Sequence, residues 1–161
     1  LALQFSEHTI RREYLALVRG VVPEDAFERT SQIRWDQKSG MRASVESERG
    51  QFAHTKFRAE ERFAAHTLVR AFPQTGRTHQ IRIHMADLKH PIVADPVYGA
   101  GPELDDDYLV APRLALHAHV LGFRHPVTGQ HVLVTSPLPP DLTSAIESLR
   151  ASGAADKRPI S

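Results

Sequence analysis

Two spacings of apolar residues run through this chain. Strand alternation is clearest in Thr67–Phe72, where Leu68, Arg70 and Phe72 share one face and Thr67, Val69 and Ala71 the other. Residues 11–19 (RREYLALVR) have an apolar, β-rich centre closed by Gly20, the pattern of a buried strand. Thr55–Phe63 and Leu114–Phe123 predict further strands, and Val132–Thr135 pairs back across the turn HPVTGQH. Helical spacing appears twice. Ile81, Met85 and Leu88 predict a helix over residues 79–88, capped by Thr78 and ended by His90–Pro91. Pro137, Pro139 and Pro140 introduce a last helix, Leu142–Leu149, capped by Asp141 or Thr143. Residues 1–8 read as the end of a helix whose apolar side holds Leu1, Leu3 and Phe5.

Between these elements the chain is polar. Residues 34–51 (RWDQKSGMRASVESERGQ) predict a long exposed loop or a loose hairpin. Asp105–Asp107 reads as an acidic cluster in a loop, and residues 151–161 as a disordered tail. Mostly antiparallel strands with a few helices make an α+β domain with a mixed sheet over residues 1–150.

Composition narrows the function classes. The 161 residues include no cysteine, which excludes disulfides and thiolate zinc sites. No apolar run approaches the roughly 18 residues of a membrane span. Both features suit a cytoplasmic protein. The formal net charge is only +1, so the placement of charges matters more than their sum.

One placement stands out. A helix start carries partial positive charge and favours acids. The helix start at TGRTHQIRIH (Thr75–His84) instead has Arg77 before it, Arg82 after its first turn and His79 as a third potential cation. Thr78 and Gln80 add polar groups there. An anion held among them, a phosphate or a carboxylate, accounts for the pattern. Two solvated surface arginines account for it as well.

The longer segment TGRTHQIRIHMADLKHPIVADPVYG (Thr75–Gly99) closely resembles the signature of the RluA-type pseudouridine synthases. QFSEHTIRREYLALVRG (Gln4–Gly20), AHTKF (Ala53–Phe57) and LALHAHVLGFRHPVTG (Leu114–Gly129) resemble other segments of that family. The resemblance implies an enzyme that converts uridine in rRNA or tRNA to its C-glycoside isomer, with an aspartate nucleophile and no cofactor or metal. It implies that the ring of Tyr14 packs on the target base, with a hydroxyl placed for proton transfer. It places Arg82 on the arginine that ion-pairs with the nucleophile, and Arg77, His79 and Gln80 around the pocket. Arg34, Lys38 and Arg42 fall in the family's RNA-gripping segment, where they would set salt-dependent affinity.

The family's nucleophile lies in a His-Arg-Leu-Asp motif upstream of the tyrosine segment, and no aspartate here has that context. Asp95 reads as a turn aspartate that bonds backbone N–H groups. Asp87, five residues after Arg82, is poorly spaced to pair with it. The expectation is therefore the C-terminal part of a synthase, its catalytic strand upstream. Alone it would be inactive, with apolar core surface exposed and Arg82 mobile or holding a solvent anion. A non-catalytic RNA-binding module of the same fold is the alternative. Zinc chemistry is a weaker one: His117 and His119 share a strand face, but no third ligand follows from the sequence.

Overall fold

A computed structural model describes residues 2–6 and 9–153. Among them one sheet of seven strands runs in the order β3-β2-β4-β5-β1-β6-β7. Its strands are β1 (Arg11–Arg19), β2 (Ala26–Asp36), β3 (Met41–Val45), β4 (Gln51–Arg62), β5 (His66–Pro73), β6 (Leu116–Arg124) and β7 (His131–Thr135). Each described pairing is antiparallel, so the mixed sheet expected from sequence has no parallel pair among the described residues. Four helices accompany it: α1 (Ala2–Ser6), α2 (Gln80–Asp87), α3 (Leu104–Val110) and α4 (Pro140–Ser152).

β1 lies between β5 and β6 and is covered on both faces, which is why its centre is continuously apolar. Leu15 and Leu17 meet Leu142 and Ile146 of α4. Tyr14, Ala16 and Val18 alternate to the face that carries α2. α4 offers Leu142, Ala145 and Ile146, the i, i+3, i+4 stripe of a helix packed on one side. Pro140 stands in its first turn, where a missing N–H costs nothing. The residue before the helix is Pro139, so neither Asp141 nor Thr143 caps it. Asp141 instead binds Arg113.

The segment after α2 hangs on the end of β1. Arg19 N–H donates to Pro91 O at 3.0 Å and Val93 N–H to Leu17 O at 2.9 Å. The acidic cluster expected in a loop is helical, because its last member has a buried partner. Asp107 takes the Arg19 guanidinium in a fork, at 2.9 Å from Nε and 2.6 Å from Nη2, and accepts the Ala94 N–H at 2.8 Å. Asp105 and Asp106 then fill the first turn of α3, where acids suit the helix dipole.

Of the two readings of 34–51, a long loop or a loose hairpin, the hairpin forms: β2 turns at Asp36–Gly40 into β3. Its tip is closed by the Asp36 carboxylate, which accepts the N–H groups of Lys38 and Ser39. In α1, Gln4 is tied to the Arg124 backbone, while Leu1, the Phe5 side chain and the tail beyond residue 153 lie outside the described residues. Residues 151 and 152 extend α4 and residue 153 is a turn, not the start of a tail. Leu121, Leu133 and Val134 are exposed on β6 and β7.

Breaking the Arg19–Asp107 fork leaves a half-buried guanidinium and the buried Ala94 N–H without their shared acceptor. Asp107→Ala is expected to lower unfolding stability by about 3–5 kcal/mol. Urea midpoints of the two proteins check this, and a loss below about 1 kcal/mol contradicts it.

Candidate active site

The signature segment folds as a turn followed by α2, and its geometry differs from a side-chain-capped helix. Thr78 does not cap α2; His79 holds the N-cap position in the left-handed region at φ 59°. Only a few per cent of non-glycine residues adopt that conformation. His79 Nδ1 lies 3.1 Å from the Tyr98 hydroxyl, and its carbonyl accepts the Ile83 N–H. Gln80 performs the cap's work from inside the helix: its Oε1 accepts the Arg77 N–H at 3.0 Å and the Thr75 hydroxyl at 2.6 Å. Gly76 lies against the Arg12 side chain: a Cβ there would sit 2.8 Å from the guanidinium and push it aside.

Arg82 is not mobile. Its Nε and Nη2 donate to Asp95 at 2.8 and 2.7 Å, and the Asp95 side chain is fully buried. Asp95 also accepts the N–H groups of Val97 and Tyr98 at 2.9 and 3.1 Å, the turn role read from sequence. Burial alone would raise its carboxyl pKa; the Arg82 bonds and these two N–H groups outweigh it and hold the pKa below the usual range. Arg82 also lies over the Tyr98 ring, 5.2 Å from its centroid. Asp95 as this partner escaped sequence reasoning because the two residues are 13 apart and meet only through the chain reversal after α2. The turn motif itself was the available signal.

A cleft of about 360 Å³ opens between β1 and the start of α2. Tyr14, Arg77, His79, Gln80 and Arg82 all line it, so these five candidates converge. Arg12, not singled out in the sequence, lines it too, brought there by the register of β1 two residues before Tyr14. His79 is not the third cation expected. Burial, then the positive charges of Arg82 and Arg42, lower its pKa against the pull of Asp95, so it is neutral near pH 7. No Asp or Glu side chain lines the cleft among the described residues. Glu13, next to Tyr14, is buried but bonded to Arg70 at 2.7 Å. Asp87 does not pair with Arg82; it accepts from Ser44 at 2.5 Å and Arg29 at 3.2 Å.

The hairpin cations do not converge. Strand alternation puts Arg42 on the α2 face of the sheet and Arg34 on the reverse face, with Lys38 at the tip. His117 and His119 both approach Ser136 O, at 3.0 and 2.8 Å, and no group of three potential metal ligands occurs among the described residues.

Under α2 a buried polar chain joins the cleft to the hairpin. Gln80 Nε2 donates to the Thr55 hydroxyl at 2.9 Å, and that hydroxyl lies 2.8 Å from His84 Nδ1. His84 Nε2 is 3.0 Å from the Ser31 hydroxyl, which is 2.9 Å from Ser44 Oγ. The low pKa of His84 leaves it neutral, and the Asp87 end of the chain sets its tautomer as Nε2–H, so Thr55 accepts from Gln80 and donates to Nδ1. Ser44 gives its single hydrogen to the Asp87 carboxylate, so Ser31 donates to Ser44 and His84 to Ser31.

The comparisons with known proteins agree with one another. The family described as RNA pseudouridylate synthase matches residues 1–87, more than half of the chain. The chain belongs to that family. Ribosomal large subunit pseudouridine synthase D of Nitrosomonas europaea is 39% identical over 93% of this chain and 44% of its own length. The uncharacterized RNA pseudouridine synthase YlyB of Bacillus subtilis is 40% identical over 95% of this chain and 48% of its own. This synthase-family chain thus spans about half the length of the curated relatives it matches. Among solved structures, human RNA pseudouridylate synthase domain containing 1 superposes with a TM-score of 0.76 and 27% identity. That superposition covers 99% of this chain and 71% of the human one. The RluA-type resemblance and the α+β fold both stand. No described helix is long and apolar enough to cross a membrane.

His84 supplies a pH test of the buried chain. Burial is the largest cause lowering its pKa, to about 4 from 6.5. The unfolded chain therefore binds a proton that the folded chain refuses, so stability is full above about pH 6.5 and falls as pH drops toward 4. The expected loss is about 3 kcal/mol. Urea midpoints at intervals across that window check it, and His84→Asn should flatten the slope there; an equal slope in both proteins contradicts the assignment.

Proposed function

We propose that the protein carrying this chain isomerises uridine to pseudouridine within RNA, and that residues 1–150 supply the base-holding side of its active site. One observation carries the reading: Tyr14 lines one cleft together with Arg12, Arg77 and Arg82, and no carboxylate lines it among the described residues. A tyrosine ring suits stacking on a base, and guanidiniums suit phosphates and a carboxylate.

The roles follow from the family. Asp95 occupies Nε and Nη2 of Arg82, which leaves Nη1 for a second carboxylate, the nucleophile. That carboxylate attacks the ribosyl carbon of the target uridine as the bond to the base nitrogen breaks; the base turns, its C5 bonds to the ribosyl carbon as the carboxylate leaves, and the C5 proton is lost while the freed nitrogen takes one up. Arg82 keeps the nucleophile ionised, because a neighbouring cation favours the charged form. Tyr14 holds the face of the detached base, and its hydroxyl is the candidate for proton transfer. Gln80 fixes the Arg77 backbone, and Arg77 and the neutral His79 shape the mouth of the pocket. Arg34, Lys38 and Arg42 contribute phosphate contacts without reading sequence. The reaction uses no metal or organic cofactor. Relatives named for the large ribosomal subunit favour rRNA over tRNA as the substrate, and hence the cytoplasm.

Incubation of the 161-residue chain with RNA labelled with tritium at uridine C5 tests this, since the isomer forms its new bond at that carbon. The chain alone is expected to bind the RNA and release no tritium above background. Release by the chain alone overturns the assignment of the nucleophile to a carboxylate outside the cleft. The longer protein that supplies a His-Arg-Leu-Asp segment is expected to release it. Binding without release in that protein makes the fold a non-catalytic RNA-binding module.

A further inference from the structure

The cleft explains how one base is held, and leaves unexplained a large aromatic side chain beyond it. Trp35, the only tryptophan of the chain, is 55% exposed. It stands directly opposite Arg42 in the β2–β3 ladder, so both side chains leave the same face of the hairpin. Two residues earlier on that face, Ile33 is fully buried and packs with Ile83 of α2 and with Tyr98. Ser44, two residues after Arg42, is bonded to Asp87 at the end of α2. The hairpin is therefore pinned against α2 at its base, and the Asp36 carboxylate closes its tip. Trp35 and Arg42 stand between these fixed points, on the face of the sheet to which Tyr14 also belongs. The charge of Arg42 is felt at His79 and Tyr98, at the mouth of the cleft.

We propose that Trp35 and Arg42 form a ledge on which one unpaired nucleobase next to the target uridine stacks. The inference rests on the RNA-binding reading above and adds a second base contact to it. A target held in the cleft must be splayed out of its own stack, and its neighbours lose stacking on that side. An indole face replaces that stacking whatever the base, and a guanidinium alongside adds attraction to the adjacent phosphate. The rigidity of the hairpin matters here: a preset aromatic loses little conformational freedom when a base lands on it. A protein partner, by contrast, is expected to need a wider apolar patch than one indole beside arginines.

Because Trp35 is the only tryptophan, its fluorescence reports the ledge directly. The chain is titrated with a short single-stranded RNA bearing one uridine, and binding is followed both by tryptophan quenching and by anisotropy of an RNA end label. Saturable quenching with the same Kd as the anisotropy is expected. Trp35→Ala should weaken binding by roughly five- to a hundredfold, as loss of one stacked base does. It should leave the dependence of log K on log salt unchanged, and Trp35→Phe should recover most of the affinity. Arg42→Ala should flatten the salt dependence by about 0.7, one phosphate contact on a single strand. An RNA lacking the base beside the uridine should bind wild type and Trp35→Ala alike. Wild-type affinity in Trp35→Ala, or saturation without quenching, overturns the ledge while leaving RNA binding intact. No binding of the RNA by any of the proteins overturns the RNA-binding reading and the ledge with it.

Discussion

The site depends on one buried ion pair. An arginine facing a cleft has many rotamers and would ordinarily swing into solvent. Asp95 removes that freedom by taking two nitrogens of Arg82 in a planar fork, from a position with no exposure of its own. A buried ion pair is weak evidence of net stability, because the desolvation of two charges offsets most of their attraction. Its value lies in orientation. Asp95 itself is fixed by two backbone N–H groups, and the segment that bears it is laced to β1 and locked by Arg19 and Asp107. The strand that carries Tyr14 thus also sets the position of Arg82, and the two sides of the cleft cannot drift independently.

A second constraint runs beneath α2. The helix buries Gln80 and His84 along with Ile81, Ile83 and Met85, so its inner face is partly polar. Buried polar groups are costly unless each finds a partner. Here the partners form a directional chain from Gln80 through Thr55, His84, Ser31 and Ser44 to Asp87, with each hydroxyl accepting from one neighbour and donating to the next. Such a chain admits one register of the hairpin against the helix. A hairpin sliding by one residue along β4 would turn Ser31 to the reverse face and leave His84 Nε2 without its partner. The same bonds that satisfy the helix interior therefore aim Trp35 and Arg42.

Much of this was legible in the sequence, and what was not has a common cause. The strands at 11–19 and 67–72 show their period directly, and Tyr14, Arg77, His79, Gln80 and Arg82 do line one cleft. The misreadings concern residues whose role is set by a distant partner. Thr78 has the chemistry of a cap, yet Gln80 does that work because Thr75 and Thr55 bracket its amide. Asp105–Asp107 has the composition of a loop and folds as a helix because Arg19 binds its third member. The polar stretch at 34–51 reads as a loop or a loose hairpin, and the hairpin forms; the choice stays open in the sequence because the residues on its α2 face, Trp35, Arg42 and Ser44, include no aliphatic side chain. An apolar pattern reports burial against apolar surface; it is silent where the buried surface is polar.

The absence of a carboxylate from the cleft lining, among the described residues, gives the arrangement its meaning. Three arginines and a neutral histidine line one cavity, and no acidic side chain among the described lining residues offsets the arginine charges. Folding tolerates this because Asp95 compensates Arg82 from behind, so its remaining face keeps a positive field at little cost in stability. A field fixed before the ligand arrives needs no reorganisation when negative charge enters. Such a site favours an ionised carboxylate and a phosphate chain over neutral groups. The overall charge of +1 is therefore uninformative about RNA: what counts is that Arg12, Arg77 and Arg82 line one cleft.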